Sequence, residues 1–406
     1  MISELPAAAP AVPGPRPPRW RAPLFAAAAM VLVGVGLSGC LAAPASVDKV
    51  EFVATKTIDG WKFDQYRNKA YPCSISGYQT FVIGTKVGLS PNVSRPLWVK
   101  MRGGGAGWFD SSGTPQPTSG NKSEESFATS LSFDTPGLME QVKAAPEHFR
   151  LLLVSMCSHD VYSGNNTPDP HNPNTTPDGK LRPTTGLAAT KAAVQYATAK
   201  YPTSAYFLNG TSAGGAGSFS VGWALQQQGL PPTGIISDSG VINQEWELYV
   251  AAHGISGSTG CGKATDDRGD GVLGRIDPEI GDIDNEPDRL VATGRLTVPV
   301  LHVWNRNDQN SCGNVQIPCP MHDGTTVTMG ASECRHGPIR NAILAQGPSS
   351  RSKDMEVCVE GGDASVPCDR HVVTAGVLTN SDTTHGVPAD FTTAIMDWVR
   401  ARMADG

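Results

Sequence analysis

Short runs of apolar, β-rich residues alternate in this chain with segments of helical spacing, and few folds accept that alternation. RPLWVKM (95–101) and FRLLLVSM (149–156) are two such runs, and the first leads directly into glycines 103–105. TGLAATKAAVQYATAKYP (185–202) repeats apolar residues at helical intervals, with Thr184 or Thr185 as cap and Pro202 as stop. SAYFLNG follows as a short buried strand, and AGSFSVGWALQQQG reads as a helix ended by Gly229. TGIISDSG, TVPVLHVW and HVVTAGVLT look like three more strands, and ADFTTAIMDWVRARM like a closing helix. Strands this apolar need cover on both faces. The expectation is therefore α/β, with a mostly parallel central sheet and helices on either side. Sheets of this kind bind ligands beyond the carboxyl ends of their strands.

One of those ends carries Gly210-Thr211-Ser212-Ala213-Gly214, the pattern G-x-S-x-G. In a chain with 45 glycines the pattern alone is weak, but its setting between a buried strand and a helix is what an exposed nucleophilic serine requires. Gly210, Gly214 and Gly215 would let backbone and helix approach closely around it. The chemistry then needs an acid and a histidine further along. Of nine histidines, His322 and His336 fall in a cysteine-bearing segment and His371 opens the presumed strand HVVTAGVLT. His385, on the loop before the closing helix, is the expected general base. For the acid, Asp308 follows the strand at 297–304 and Asp238 ends the one before it; strand order places Asp308 first and leaves Asp238 as its competitor. The Ala213 N–H and the loop MRGGGAGW (101–108) are in position to bind an oxyanion.

The ends and the cysteines indicate where the chain works. Arg16, Arg19 and Arg21 precede a charge-free apolar stretch that runs into LSGC (37–40). This reads as an export signal whose ending resembles a bacterial lipobox, so that Cys40 would carry lipid and anchor the chain to a membrane surface. The mature chain, 41–406, is expected as one domain with insertions at about 245–295 and 311–370. Eight further cysteines in an exported chain imply disulfides, with Cys319–Cys334 and Cys358–Cys368 as plausible short loops. No paired Cys-x-x-Cys spacing supports a zinc site. A net charge of −6 argues against nucleic acid as a partner. DDRGDGVLGRID (266–277) has the outline of a calcium loop, with Asp266, Asp270 and Asp277 as candidate ligands. Arg268 stands at a ligand position, however, and a solvated acidic segment is the preferred reading.

Four segments, RGGGAGW, CSHDVYSGN, NGTSAGGAG and ISDSGVIN, occur in order over about residues 95–245, with weaker similarity from WNRNDQ to TTHG. In them the chain resembles the pectin acetylesterase family, which includes the Notum carboxylesterases. The resemblance implies an α/β-hydrolase fold and ester hydrolysis without a metal or other cofactor. It carries the nucleophile to Ser212, the acid to Asp308, the base to His385 and the oxyanion donors to Gly104, Gly105 and Ala213. Gly107 stands where the family often has a cysteine, so the local disulfide must differ, with Cys73–Cys157 as its replacement. Asp160 and Tyr162 would shape the floor and wall of the site. The substrate expected by analogy is a short-chain acyl ester, such as O-acetyl on polysaccharide. The alternatives are a long acyl chain, a peptidase of the same fold, or a binding lipoprotein without turnover.

Overall fold

In a computed structural model the structure describes residues 47–116, 122–132, 137–244, 246, 275–362, 364–376 and 378–405. Nine strands form the central sheet: β1 (Val50–Ile58), β2 (Trp61–Pro72), β3 (Tyr78–Lys86), β4 (Arg95–Met101), β5 (Arg150–Val154), β6 (Thr203–Thr211), β7 (Gly234–Asp238), β8 (Val300–Asn305) and β9 (Lys353–Val357). Their order is β1-β2-β3-β5-β4-β6-β7-β8-β9. From β5 to β9 every pairing is parallel, while β1, β2 and β3 pair antiparallel at one edge. The mostly parallel sheet is thus as expected. The three edge strands carry many polar residues and left no continuous apolar signal.

Each central strand buries both faces, as its composition demands. Leu97, Val99 and Met101 of β4 pack into one apolar cluster together with helices α1 (Gly186–Lys200) and α2 (Ala213–Gln227). Trp98, one residue out of phase, enters the opposite cluster with Phe207 and with Phe391, Ile395 and Trp398 of α4 (Phe391–Ala404). The two-residue period of a strand assigns neighbours to opposite layers. A further helix, α3 (Ala331–Ala345), packs against β8 and β9.

Two expectations need correction. The described residues of HVVTAGVLT form a loop and not a strand, and the sheet's last strand is the more polar KDMEV, β9. An edge strand pairs through its backbone and tolerates charges such as Lys353 and Glu356, so hydropathy passes over it. The stretch 311–370, expected as one insertion, therefore contains core elements α3 and β9 beside a small hairpin, Gln316–Pro320 with Thr326–Gly330. Disulfides join Cys73–Cys157, Cys319–Cys334 and Cys358–Cys368, and Cys312 is also disulfide-bonded. Among the described residues no helix is long and apolar enough to cross a membrane.

Candidate active site

Ser212 joins the end of β6 to the start of α2 with φ 53° and ψ −121°, a backbone conformation that L-residues seldom adopt. The turn is over-determined by its surroundings. The Ser212 N–H donates to the Asp238 carbonyl at 2.8 Å, and the Ser212 carbonyl accepts from Ala216 N–H at 3.1 Å. A Cβ on Gly210 would strike the Gly214 backbone, and one on Gly214 would strike the Met101 carbonyl. These glycines are what lets the turn close against the end of β4, as their spacing predicts.

The residue that meets Ser212 is His371. Its Nε2 lies 2.7 Å from Ser212 Oγ, and its Nδ1 lies 2.8 and 2.9 Å from the two oxygens of Asp308. Asp308 is fully buried, and the His371 side chain is only 17% exposed. Asp308 Oδ1 also accepts from Asn310 N–H and Oδ2 from the Ser311 hydroxyl, both at 2.9 Å. The Asp308 carboxylate is thus held from both sides while it faces the imidazole.

His385 is not at the site. It lies against Arg306 Nη2 at 2.6 Å with Glu356 nearby, and its side chain is 41% exposed. The error has a single physical origin. A strand at 371–379 would put the base on the next loop, whereas the last strand of the sheet ends at Val357 and the loop after it holds His371. The one sequence signal that could have found it is Gly361-Gly362 and Cys358…Cys368, a turn and a short cross-link following a short alternating stretch. Asp238, the competing acid, faces the same loop but does not touch the imidazole. Its carboxylate accepts N–H bonds from Val373 (3.1 Å) and Thr374 (2.9 Å), which anchors the backbone two residues beyond His371. Buried Lys100 lies behind it, donating to Asn209 at 3.0 Å. Burial pulls the Lys100 pKa down to about 8, against the opposing pull of Asp238.

The loop 103–105 lies beside the nucleophile. A Cβ on Gly103 would touch Ser212, and Gly103 N–H donates to Thr211 Oγ1 at 3.1 Å. Gly104 and Gly105 have φ 143° and 71°, so their backbones turn in a way a side chain would oppose. Ala213 opens α2, where its N–H is among the helix's first, unsatisfied donors. The loop is braced from below: Tyr162 Oη accepts from Arg102 N–H at 3.1 Å, and the Arg102 guanidinium is bound to buried Glu125, which also accepts from Met156 N–H. Asp160 accepts from the N–H groups of Tyr162, Gly164 and Gly186; burial pushes its pKa up to about 6 while those donors pull it down. Tyr162 and Asp160 are therefore supports beneath the glycine loop.

Asp266, Asp270 and Cys40 lie outside the described residues. Asp277 uses its carboxylate to cap a turn, accepting from Glu279 and Ile280 N–H. Among the described residues, Glu286, Asp288 and His322 bring ligand-type atoms within 4.8 Å of one another. Arg289 already bonds His322 Nδ1 at 2.8 Å, which sets a fixed positive charge against any cation there.

A strained serine turn after β6, a buried carboxylate after β8 and a histidine after the last strand of a mostly parallel sheet complete the architecture. The fold is that of an α/β-hydrolase. No protein-family model matches the chain, and no curated relative does. Solved structures similar to it include carboxyl esterase 2 from the mycorrhizal fungus Tuber melanosporum, at 13% identity and TM-score 0.46 over 86% of this chain and 88% of that one. Vibralactone cyclase is similar at 10% identity and TM-score 0.46, over 86% and 82%. Esterase Est22 is similar at 13% identity and TM-score 0.41, over 73% and 72%.

Proposed function

We propose that this chain is an exported serine esterase that hydrolyses carboxylic esters through Ser212, His371 and Asp308. The observation that carries the reading is the unbroken set of hydrogen bonds from Asp308 through His371 to Ser212 Oγ beside a glycine loop. His371 Nε2 takes the Ser212 proton as Oγ attacks the ester carbonyl. Asp308 holds the ring with Nδ1–H inward and stabilises the imidazolium; it does not take the proton. The N–H groups of Ala213, Gly104 and Gly105 receive the oxyanion. His371 then protonates the leaving alcohol, and water, deprotonated by the same nitrogen, releases the acid from the acyl-enzyme.

The four family-like segments support a short acyl ester as substrate, in the first place O-acetyl on polysaccharide, with a longer acyl group as the alternative. The basic-apolar-LSGC opening supports export and lipid attachment at Cys40. The test uses protein lacking residues 1–40, made in an oxidising compartment, on p-nitrophenyl esters from acetyl to palmitoyl. The expected result is turnover with a short-chain optimum that vanishes in Ser212→Ala and His371→Ala. A palmitoyl optimum would select the long-acyl alternative. Folded protein with no turnover and no labelling by a serine-directed phosphonate would refute the esterase.

A further inference from the structure

The hydrogen bonding around Asp308 does not stop at Asp308. Ser311 Oγ, which donates to Asp308 Oδ2, lies 3.4 Å from His336 Nε2 on α3 and accepts from Arg335 Nη1 at 3.2 Å. His336 Nδ1 lies 3.0 Å from His302 Nε2 on β8. His302 Nδ1 in turn lies 2.6 Å from Asp354 Oδ1 on β9, and Trp304 Nε1 donates to the other oxygen of Asp354 at 3.3 Å. Ser311, His336 and His302 are all fully buried. Seven side chains thus connect Asp354, at the sheet's last strand, to Ser212.

The hydrogens of this chain can be counted. The Ser311 hydroxyl has one proton, and the shorter contact assigns it to Asp308. His336 Nε2 is then placed to donate to Ser311 at 3.4 Å, and His336 Nδ1 to pair with His302 Nε2 at 3.0 Å. His302 Nδ1 faces Asp354 Oδ1, so this one ring ties the carboxylate on β9 to His336 on α3. Burial keeps His336 well below the usual imidazole pKa, so it is neutral and can donate at one nitrogen while accepting at the other. Two histidines and a carboxylate at a helix–sheet interface replace apolar packing that would be simpler to bury. Their common property is that each fixes the next, and the last fixes the acid of the triad.

Resting on the esterase reading, we propose that Asp354, His302, His336 and Ser311 form a buried positioning relay that holds the Asp308 carboxylate in register with His371. None of the four touches substrate. Misplacing a reacting group by about 1 Å is enough to lose on the order of 100-fold in rate, so a slack Asp308 should appear in kcat and leave KM alone.

The experiment compares wild type, Ser311→Ala, His336→Leu and His336→Gln, the last retaining a donor toward Ser311. Two quantities are read: kcat and KM on p-nitrophenyl acetate, and the low-field proton resonance of the His371 Nδ1–H to Asp308 bond. Ser311→Ala and His336→Leu are expected to lower kcat by about 10- to 100-fold with KM within twofold, and to move or broaden the resonance. His336→Gln should recover most of the kcat. Ser311→Ala deletes a single oxygen, so it keeps the test open if His336→Leu does not fold. Wild-type kcat and an unmoved resonance in folded Ser311→Ala would overturn the relay. So would equal losses in His336→Leu and His336→Gln with the resonance unchanged, which would mark His336 as packing only. A wild type without turnover would refute the esterase instead, and the resonance would still decide the relay.

Discussion

Replacing Ser212 with glycine should make the protein more stable than replacing it with alanine, although both variants lose the same hydroxyl. Ser212 is held at φ 53°, ψ −121°, and a residue with a Cβ in so sparsely populated a region carries about 1–3 kcal/mol of strain. Ala keeps that strain and Gly releases it. Against this, glycine loosens the unfolded chain by about 0.5–1 kcal/mol. The lost Cβ, which packs beside Gly103, contributes at most about 0.8 kcal/mol. The hydroxyl's bond to His371 is absent from both variants and cancels. At central values Gly is favoured over Ala by about 1 kcal/mol, or on the order of 1–2 °C in Tm for a domain of this size. The same exchange inside α2, Ala216→Gly, has the opposite sign and costs about 1 kcal/mol or more. Paired denaturant titrations under oxidising conditions measure the difference directly. An Ala variant more stable than Gly by about 1 kcal/mol, the margin these offsets give with no strain at all, would refute the claim that the turn is strained.

The two histidines separate cleanly: His371→Ala should reduce kcat by about 10⁴-fold, while His385→Ala stays within a few-fold, both read on p-nitrophenyl acetate. Asp238→Asn should cost about 2–4 kcal/mol, because a buried carboxylate that accepts from Val373 and Thr374 is replaced by a group with donors of its own, and activity should fall as the His371 loop loosens. Opening Cys73–Cys157, which closes 84 residues, should cost about 4–5 kcal/mol by loop entropy, against about 3 for the 10-residue Cys358–Cys368. The shorter bond should nevertheless have the larger effect on kcat, since Cys368 precedes His371 by three residues; double Cys→Ser variants read by unfolding and kinetics check both. His336 binds its proton more weakly folded than unfolded, so stability should fall as pH drops below about 6.5, by at most about 1.4 kcal/mol per unit from this group. His336→Gln should flatten the slope of ΔG against pH in that window by up to one proton's worth.

Much of the fold was legible from local chemistry. β4, β5, β6, β7 and β8 are buried on both faces, so each needs an apolar run, and α1 and α2 repeat at the helical period. The turn at Ser212 was legible for the same reason, because its steric requirements are met by Gly210 and Gly214 within two residues. Asp308 was reachable because it follows a strand whose apolar run is unmistakable. The edge was not legible: β9 is paired on one side only and carries Lys353, Asp354 and Glu356, while the apolar Val373 of the following loop is fully buried without being in a strand. Hydropathy reports burial, and at this edge burial and strand pairing separate. That separation makes the sequence point to His385 and hides His371.

The sequence by itself determined that a serine would sit at a strained strand-to-helix turn in a parallel sheet, because those requirements are local in the chain. Which histidine reaches it, from 159 residues away, was decided only by tertiary structure. So was the line of buried groups from Asp354 to Ser311. The Asp238 carboxylate bonding to Val373 and Thr374, the Cys358–Cys368 cross-link and the parallel register of β8 and β9 all act between segments far apart in the chain. Such contacts depend on which surfaces meet, and no residue carries that information alone.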